Sequence, residues 1–273
     1  MTKVIDCITY FDEDMLLDFR LNVLNNYVSK FVIVEAKEDH QGNKKKLNFD
    51  IKNFSKFKNK IIYIVQEKLI VDPNTKLPKN WSKNHLKDQS QRNYISNALN
   101  NLDNDDQVII SDVDEIPNLQ NLSGILNKRE KYTAFKQKMF YYKFNLLNLT
   151  ESPWYGSKMC KMRYLRSPQW LRDQKVKNYP FYRFDKIKWN TIDDGGWHFS
   201  NIMTPQQISE KIKSFAHSEY NKPEFTNVEN IKNKIQDKKD IFNRNFEFKK
   251  LTSEKELPNY IFENKEKFSS FLI

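Results

Sequence analysis

The chain has 273 residues, a formal net charge of +11 at pH 7, and 20 Phe, 13 Tyr and 5 Trp residues. So many aromatic rings supply the material of a packed core and exclude a disordered protein. The two cysteines, Cys7 and Cys160, are too few for a disulfide framework or a cysteine metal site. No run approaches the roughly 20 apolar residues of a membrane span, and acids stand near the start, where a secretion signal would be apolar. The composition therefore predicts a soluble, cytoplasmic protein.

The basic charge favours partners that carry phosphate, such as nucleic acid, nucleotides or anionic lipid surfaces. The lysines are spread over the whole chain among many asparagines and isoleucines, a pattern that biased base composition of a genome also produces. Because no nucleic-acid-binding module is recognisable, we expect no nucleic-acid partner, although a basic nucleic-acid-binding protein is kept as an alternative. A peripheral contact between the basic surface and a membrane is also kept open.

Four apolar runs in the first half predict strands, at residues 4–10, 30–36, 60–65 and 107–111. Helical spacing predicts a helix after the first strand, with an inner face made of Leu16, Phe19, Val23 and Tyr27. A second predicted helix runs from about His85 to Leu102. Strands that are apolar throughout and separated by helices indicate a mostly parallel sheet covered on both faces.

The middle of the chain has a different pattern. Residues 132–148 carry aromatic, β-forming runs without a helical crossover, so we expect mixed or antiparallel strands there. No internal repeat or flexible linker separates this region from the first half. We therefore expect one domain rather than two.

Beyond Thr204 the pattern becomes helical. Thr204 is suited to cap a helix, Pro205 to its first position and Gln207 to complete a capping box. The inner face of this helix is predicted at Ile208, Ile212 and Phe215. Two more short helices with basic outer faces are predicted within residues 227–235 and 257–272.

The stretch VIISDVDEIP, residues 108–117, places Asp112, Asp114 and Glu115 directly after the fourth predicted strand. Ligands bind at the carboxyl ends of the strands in an open α/β sheet. Two close carboxylates repel each other unless a cation lies between them, and Mg²⁺ or Mn²⁺ often binds through one or two carboxylates with water and substrate phosphates. The motif therefore indicates a divalent-cation site, and the alternative is a set of acids that cap a helix starting near Asn118.

Four blocks of the sequence together resemble glycosyltransferase family 17 in their order and spacing, namely residues 4–36, 90–99, 107–117 and 195–200. The resemblance extends from about Val4 to Leu272. The family includes the enzyme that adds the bisecting N-acetylglucosamine to N-glycans, and residues 152–189 depart most from the animal enzymes. The resemblance implies an α/β fold of the GT-A, Rossmann-like type in a single domain over residues 1–273. Residues 1–117 would form the nucleotide-sugar-binding half, and residues 118–273 the acceptor-side and C-terminal helical half.

The resemblance also implies a Mn²⁺ or Mg²⁺ ion. Asp114 is the expected direct ligand, and Asp112 is expected to bind through water or to contact the ribose. A late histidine often completes the metal site of GT-A enzymes, so His198 is the third candidate ligand. The alternative for His198 is a hydrogen-bonded core histidine. Gly195 and Gly196 before it would permit close approach of a ligand or form an ordinary tight turn.

The donor site is expected to be lined by residues from both halves of the chain. Glu35 would accept hydrogen bonds from uracil or ribose, and Arg92 would bind phosphate bidentately. Arg20 is a donor-site candidate whose alternative is a buried ion pair with Glu35. Phe11 and Trp197 complete the predicted donor-binding set, and Trp197 has a place in the core as its alternative.

Transfer with inversion needs a general base near the acceptor hydroxyl. Asp194 is preferred because its loop should face the donor, with Asp173, Glu115 and Asp193 as alternatives. The expected activity is metal-dependent, inverting transfer of a sugar from a UDP-sugar to a glycan acceptor, with N-acetylglucosamine as the expected sugar. Besides the nucleic-acid-binding protein, the alternatives are a non-catalytic glycan-binding member of the fold and a two-metal nucleotidyltransferase.

Overall fold

The computed structural model describes residues 2–71, 83–180, 182–214 and 220–273. The strands in these ranges are β1 Val4–Tyr10, β2 Lys30–Ala36, β3 Ile61–Gln66, β4 Gln107–Asp112, β5 Glu115–Pro117, β6 Tyr132–Phe135, β7 Lys138–Tyr141, β8 Leu146–Asn148, β9 Lys158–Lys161, β10 Trp189–Ile192, β11 Gly196–Ser200 and β12 Phe248–Lys250. The α-helices are α1 Asp14–Leu24, α2 Lys83–Tyr94, α3 Leu122–Leu126, α4 Pro168–Asp173, α5 Pro205–Ser214, α6 Pro223–Thr226, α7 Val228–Gln236, α8 Asn259–Glu263 and α9 Lys265–Phe268.

The larger sheet has seven strands in the order β10-β6-β9-β4-β1-β2-β3. Strands β3, β2, β1 and β4 are parallel, as are β6 and β10. Strand β9 is antiparallel to both of its neighbours, β4 and β6. This confirms the predicted mostly parallel α/β sheet. The mixed pairing predicted for residues 132–148 is present too, because β6 pairs parallel with β10 and antiparallel with β9, and β7 pairs antiparallel with β8.

Both faces of the larger sheet are covered, as the continuous apolar strands predicted. Val4, Ile8 and Tyr10 of β1 pack with α1 in one core cluster. Ile5 and Cys7, on the opposite face, pack in a second cluster near α4. The alternation follows from the period of two along a strand. Asp6 shares the α1 face, where it is fully buried.

The smaller sheet has five strands in the order β12-β8-β7-β11-β5. Strand β5 begins three residues after β4 ends, so the chain passes from one sheet to the other through Val113 and Asp114. Strand β11 pairs antiparallel with β5 and parallel with β7. A third core cluster, with Ile208 of α5 and Ile231 of α7, packs against this sheet. The acidic motif therefore lies at the junction of the two sheets.

Most predicted elements are present with small shifts in their bounds. Predicted and observed bounds agree for β1 and β2, and β3 begins one residue later than predicted. The helix predicted for residues 85–102 is wrong at its C-terminal end. Helix α2 stops at Tyr94, a 3-10 helix follows at Ile95–Ala98, and the Leu99 amide closes that turn on the Ser96 carbonyl. Within the described part of the chain, no helix is long and apolar enough to cross a bilayer.

The capping box of α5 forms as predicted. The Gln207 amide donates to Thr204 Oγ1 at 3.3 Å, and the Thr204 amide donates to Gln207 Oε1 at 3.0 Å. Ile208 and Ile212 are buried in the third cluster. The third residue of the predicted inner face, Phe215, lies outside the described residues.

The substitution Thr204→Ala is expected to lower the free energy of unfolding by about 1 kcal/mol, because it removes the side-chain acceptor of the first helical turn. Chemical denaturation measures this change. Thr204→Ser keeps the acceptor and is the matched control. An equal loss of stability in both variants would show that the box does not stabilise α5.

Candidate active site

A buried arginine shapes the acidic turn that joins β4 to β5. Arg20 of α1 has no exposed surface, and its guanidinium donates to both carboxylate oxygens of Asp6, at 2.7 and 2.6 Å. The same guanidinium donates to the carbonyl oxygens of Asp112, at 3.1 Å, and Glu115, at 2.6 Å. Helix α1 is therefore tied at one point to β1 and to both ends of the turn. The suggested Arg20–Glu35 ion pair is wrong, and the burial of Arg20 means that it serves the site through the turn.

Two arginines hold the Asp112 carboxylate. Arg92 of α2 donates to Asp112 Oδ1 at 2.8 Å, and Arg172 of α4 donates to Asp112 Oδ2 at 2.8 Å. Burial disfavours the charged carboxylate, but the two guanidinium groups outweigh this effect and lower the Asp112 pKa far below its usual range. Arg92 also binds both oxygens of Asp88. Asp112 is therefore an anion held between two cations.

Glu115 is enclosed by the protein. Its side chain is 1 % exposed, and its oxygens accept from Arg172 at 2.6 Å, Trp154 Nε1 at 2.6 Å and the Asp112 amide at 2.9 Å. A Cβ atom at Gly156 would lie 2.1 Å from the Glu115 carboxyl carbon, so only glycine fits there. This enclosure argues against the predicted role of Glu115 as a general base, because both of its carboxylate oxygens already accept hydrogen bonds inside the protein.

Asp114 faces His198. The distance from His198 Nε2 to Asp114 Oδ2 is 3.6 Å, and the sheet register places His198 of β11 opposite Glu115 of β5. Burial disfavours the imidazolium, but the Asp114 carboxylate outweighs burial and raises the pKa of His198. The Asp114 pKa is lowered, because His198 outweighs its burial in turn. The buried His198 Nδ1 atom has no hydrogen-bond partner among the described residues.

The donor set at the turn fits a divalent cation that is shared with a substrate. Among the described residues, no cluster of three or more His, Cys, Asp or Glu side chains has the arrangement of a metal site. Asp114 and His198 nevertheless offer an oxygen and a nitrogen donor side by side, and His198 has an unsatisfied buried nitrogen. Because Mg²⁺ and Mn²⁺ often take one or two protein ligands and the rest from phosphates and water, this pair is sufficient.

The alternative in which the acids cap a helix near Asn118 is wrong. Helix α3 begins at Leu122, and its cap is Asn121, whose side chain accepts from the Gly124 amide at 3.3 Å. The two glycines before His198 lie directly against neighbouring backbone, where a Cβ atom would not fit. Gly196 has a φ of +112°, and a Cβ atom there would lie 2.2 Å from the Ile116 carbonyl oxygen. This close approach lets β11 pair with β5.

Glu35 organises the loop after β2. It is fully buried and accepts from the Asn48 amide at 2.8 Å, the Phe49 amide at 3.1 Å and Tyr63 Oη at 2.9 Å, and it forms an ion pair with Lys45. Lys45 Nζ also lies 4.9 Å from the centre of the Phe11 ring. Glu35 therefore has its hydrogen-bonding capacity used within the protein. Its ion pair fixes Lys45, and Lys45 in turn lies against the Phe11 ring.

Trp197 belongs to the main core, with 7 % of its surface exposed and its Nε1 donating to the Glu256 carbonyl at 2.8 Å. The structure therefore supports the alternative in which Trp197 is a core residue.

The candidate bases Asp194 and Asp173 are both exposed. Asp194 accepts from Asn118 at 3.1 Å and Asp173 accepts from Gln169 at 2.7 Å. Partial burial raises the pKa of Asp173.

Two cations of the site were missed by sequence reasoning. Arg172 is not among the site residues predicted from the sequence, which include its neighbour Asp173. An arginine beside a candidate acid in QWLRDQK is a signal that could have identified it. Lys211 of α5 lies in the field of Asp114, Glu13 and Asp12, which together outweigh its burial and raise its pKa. Lys211 lies four residues after Gln207, on the same face of α5. In the sequence it is one of several lysines of a basic helix, and nothing there distinguishes it from the others.

The comparison with protein families agrees with this geometry. The model of glycosyltransferase family 17 matches residues 1–273, which is the whole chain. The chain belongs to glycosyltransferase family 17. This family 17 protein is therefore a glycosyltransferase, for which a nucleotide-sugar donor and a glycan acceptor are implied. The comparison with curated proteins gave no match.

Removing the central arginine is expected to destabilise this glycosyltransferase strongly. Arg20→Met leaves Asp6 as a buried, unpaired carboxylate, which costs about 3–5 kcal/mol of unfolding free energy. Denaturant titration of Arg20→Met, Asp6→Asn and the double variant measures the coupling. The double variant should lose clearly less than the sum of the two single losses. Additive losses would mean that the pair does not act as a unit.

Lys158 makes the stability of the fold depend on pH. Its Nζ lies 2.7 Å from the Gln174 carbonyl oxygen and also contacts the Arg172 carbonyl, so it fixes the end of α4 to β9. Burial first, and then the Arg172 charge, lower its pKa from 10.5 to about 7. Between these two values the unfolded chain binds more protons than the folded protein, so stability rises with pH across this window. Below it, the folded protein carries a costly buried ammonium.

The unfolding free energy of the wild type, relative to Lys158→Met, is therefore expected to rise between about pH 7 and about pH 10. Urea titrations of both proteins at several pH values test this. Lys161→Met, on the same strand but half-exposed and paired with Asp105, should show no such trend. A flat difference for Lys158→Met would contradict the lowered pKa.

Proposed function

We propose that this family 17 protein is a metal-dependent, inverting glycosyltransferase of the GT-A type. It moves N-acetylglucosamine from UDP-N-acetylglucosamine to a hydroxyl group of a glycan. The observation that carries the proposal is the acidic turn after β4, where Asp114 faces His198 at 3.6 Å beside an Asp112 carboxylate held by two arginines. This turn lies at the carboxyl end of a parallel strand, where ligands bind in open α/β sheets.

Asp114 and His198 are the residues that would hold the cation. When bound, a divalent ion supplies Lewis-acid charge to the departing diphosphate. Asp112 is assigned to orienting Arg92 and Arg172, because both of its oxygens are engaged by them. This revises its expected role as a ligand through water. Fixed guanidinium groups near the turn stabilise negative charge that develops on phosphate oxygens.

The donor nucleoside is assigned to the side of the sheet formed by β1 and β2. The loop that Glu35 orders brings Lys45 and Asn48 to the end of β1, where Asn48 Nδ2 donates to the Phe11 carbonyl at 2.6 Å. Phe11 and Lys45 are the side chains there that would contact the base or ribose. This arrangement supports a nucleotide site built from residues 11–49, next to the acidic turn.

Asp173 is the proposed general base, in place of the earlier preference for Asp194. Its raised pKa brings a carboxylate closer to the range useful for proton transfer near neutral pH. It is also connected to the site, because Gln169 bonds both Asp173, at 2.7 Å, and Arg92, at 2.6 Å. Asp194 contacts Asn118 and has no such connection in the described contacts.

The family assignment favours this enzyme over a basic nucleic-acid-binding protein. The complete set of Asp114, His198, Arg92 and Arg172 also favours it over a non-catalytic glycan-binding member. A nucleotidyltransferase would use two metal ions, and among the described residues the turn offers one pair of candidate ligands, Asp114 and His198.

Asp114→Asn is expected to reduce transfer by about 100- to 1000-fold, because it removes the anion that faces His198 and would hold the cation. The measurement is transfer from UDP-N-acetylglucosamine with manganese and with chelator, with the product's anomeric configuration determined by NMR. Asp105→Asn, an exposed acid that pairs with Lys161, is the matched control. Wild-type transfer by Asp114→Asn in chelator would refute the metal assignment, and retention of configuration would refute inversion.

A further inference from the structure

A basic loop with exposed aromatic rings follows α4. Residues 175–180 and 182–188, here named the basic-aromatic loop, contain five cationic residues and one acid. The loop is closed at its base, where Trp189 Nε1 donates to the Lys175 carbonyl at 3.2 Å. Lys158 holds the residue just before it through the Gln174 carbonyl at 2.7 Å. The loop therefore projects from a fixed base on the larger sheet.

Two rings of this loop are presented to solvent. Phe184 is 83 % exposed and Tyr182 is 62 % exposed. Single exposed apolar residues are common on protein surfaces. Here two exposed rings lie two residues apart and among several cations, so they form one surface that is both aromatic and basic. Lys188 Nζ lies 6.0 Å from the centre of the Phe184 ring, so a cation accompanies the most exposed ring. This combination of ring and cation is typical of segments that lie at a membrane interface.

The loop also lines an open, cationic cavity of about 300 Å³. Its lining includes four cations and two rings, namely Lys177, Arg183, Lys186, Lys188, Tyr179 and Trp189. Asp185 neutralises part of this charge, because it pairs with Arg183 at 2.8 Å and with Lys186 at 3.0 Å. In the described ranges no acid forms an ion pair with Lys177 or Lys188. These two ammonium groups are therefore available to an anion.

We propose that the basic-aromatic loop docks the protein on an anionic lipid surface. Lys177 and Lys188 bind phosphate headgroups at the cavity, and the rings of Phe184 and Tyr182 enter the interface beside them. Juxtaposed cations attract anionic lipids electrostatically, while the rings gain by leaving water. A soluble phosphate would use the cations and leave Phe184 without a role.

A lipid surface also suits the shape of this site better than a nucleic-acid strand. Single-stranded nucleic acid is bound along a basic groove with successive stacked bases. The loop offers one open pocket, where Trp189 Nε1 donates to the Lys175 carbonyl, and it carries the exposed rings of Tyr182 and Phe184. A compact anionic headgroup with an adjoining apolar region matches that arrangement.

The docking surface does not depend on the proposed donor chemistry, but helix α4 connects it to the acidic turn. Arg172 of this helix binds both Asp112 and Glu115. The loop begins two residues after that helix ends. A protein docked through the loop would therefore hold its acidic turn near the lipid surface.

Sedimentation with vesicles tests the proposal without donor or metal. The wild type is expected to bind phosphatidylcholine vesicles that contain about a third phosphatidylglycerol, and not to bind vesicles of pure phosphatidylcholine. Its binding should weaken as the salt concentration is raised. Phe184→Ser should weaken binding by about tenfold, because the ring no longer enters the interface. Lys177→Gln and Lys188→Gln should each weaken it by about fivefold.

Matched controls separate the loop from general charge and hydrophobicity. Ile70→Ser removes another apolar side chain, which is 74 % exposed, and Lys249→Gln with Lys250→Gln removes two exposed charges of β12. Both controls should bind vesicles like the wild type. Failure of the wild type to bind anionic vesicles overturns the proposal, as does an equal loss in the controls. Displacement from vesicles by millimolar inorganic phosphate, or tighter binding to a single-stranded oligonucleotide, would also overturn it.

Discussion

The buried guanidinium of Arg20 is the constraint on which the site depends. A cation without exposed surface is tolerated only when its charge and its donors are satisfied, and Arg20 finds both in Asp6 and in the carbonyls around the acidic turn. Because β1, α1 and the β4–β5 connection meet at this one group, the turn has a single shape. That shape directs Asp112 towards two arginines, Glu115 into the protein and Asp114 towards His198.

Charge compensation then decides what each acid can do. Asp112 and Glu115 share Arg172, and Asp112 has Arg92 as well, so their negative charge is already balanced within the protein. Asp114 instead faces the imidazole of His198, with the positive charge of Lys211 nearby. This division explains how three acids within four residues coexist after a buried strand. The proposed cation site accordingly includes Asp114 rather than Asp112 or Glu115.

The junction of the two sheets assembles the site from distant parts of the chain. The larger sheet supplies the strand end and the helices that carry Arg92 and Arg172, while the smaller sheet supplies His198 through the pairing of β11 with β5. Helix α4 joins this junction to the basic-aromatic loop, because its end is fixed by Lys158. The proposed chemistry at the turn and the proposed attachment to a lipid surface thereby lie on one continuous piece of structure.

The sequence by itself determined the α/β alternation, the bounds of β1 and β2, the capping box of α5 and the position of the acidic motif at a strand end. These features depend on local patterns, since apolar runs report burial and capping residues report helix ends. Only the tertiary structure decided that Arg20 pairs with Asp6 rather than Glu35, that Arg172 holds Asp112 and that Trp197 lies in the core. Periodicity shows that a side chain is buried but does not identify the partner it meets, because partners far apart in sequence are set by sheet order and register.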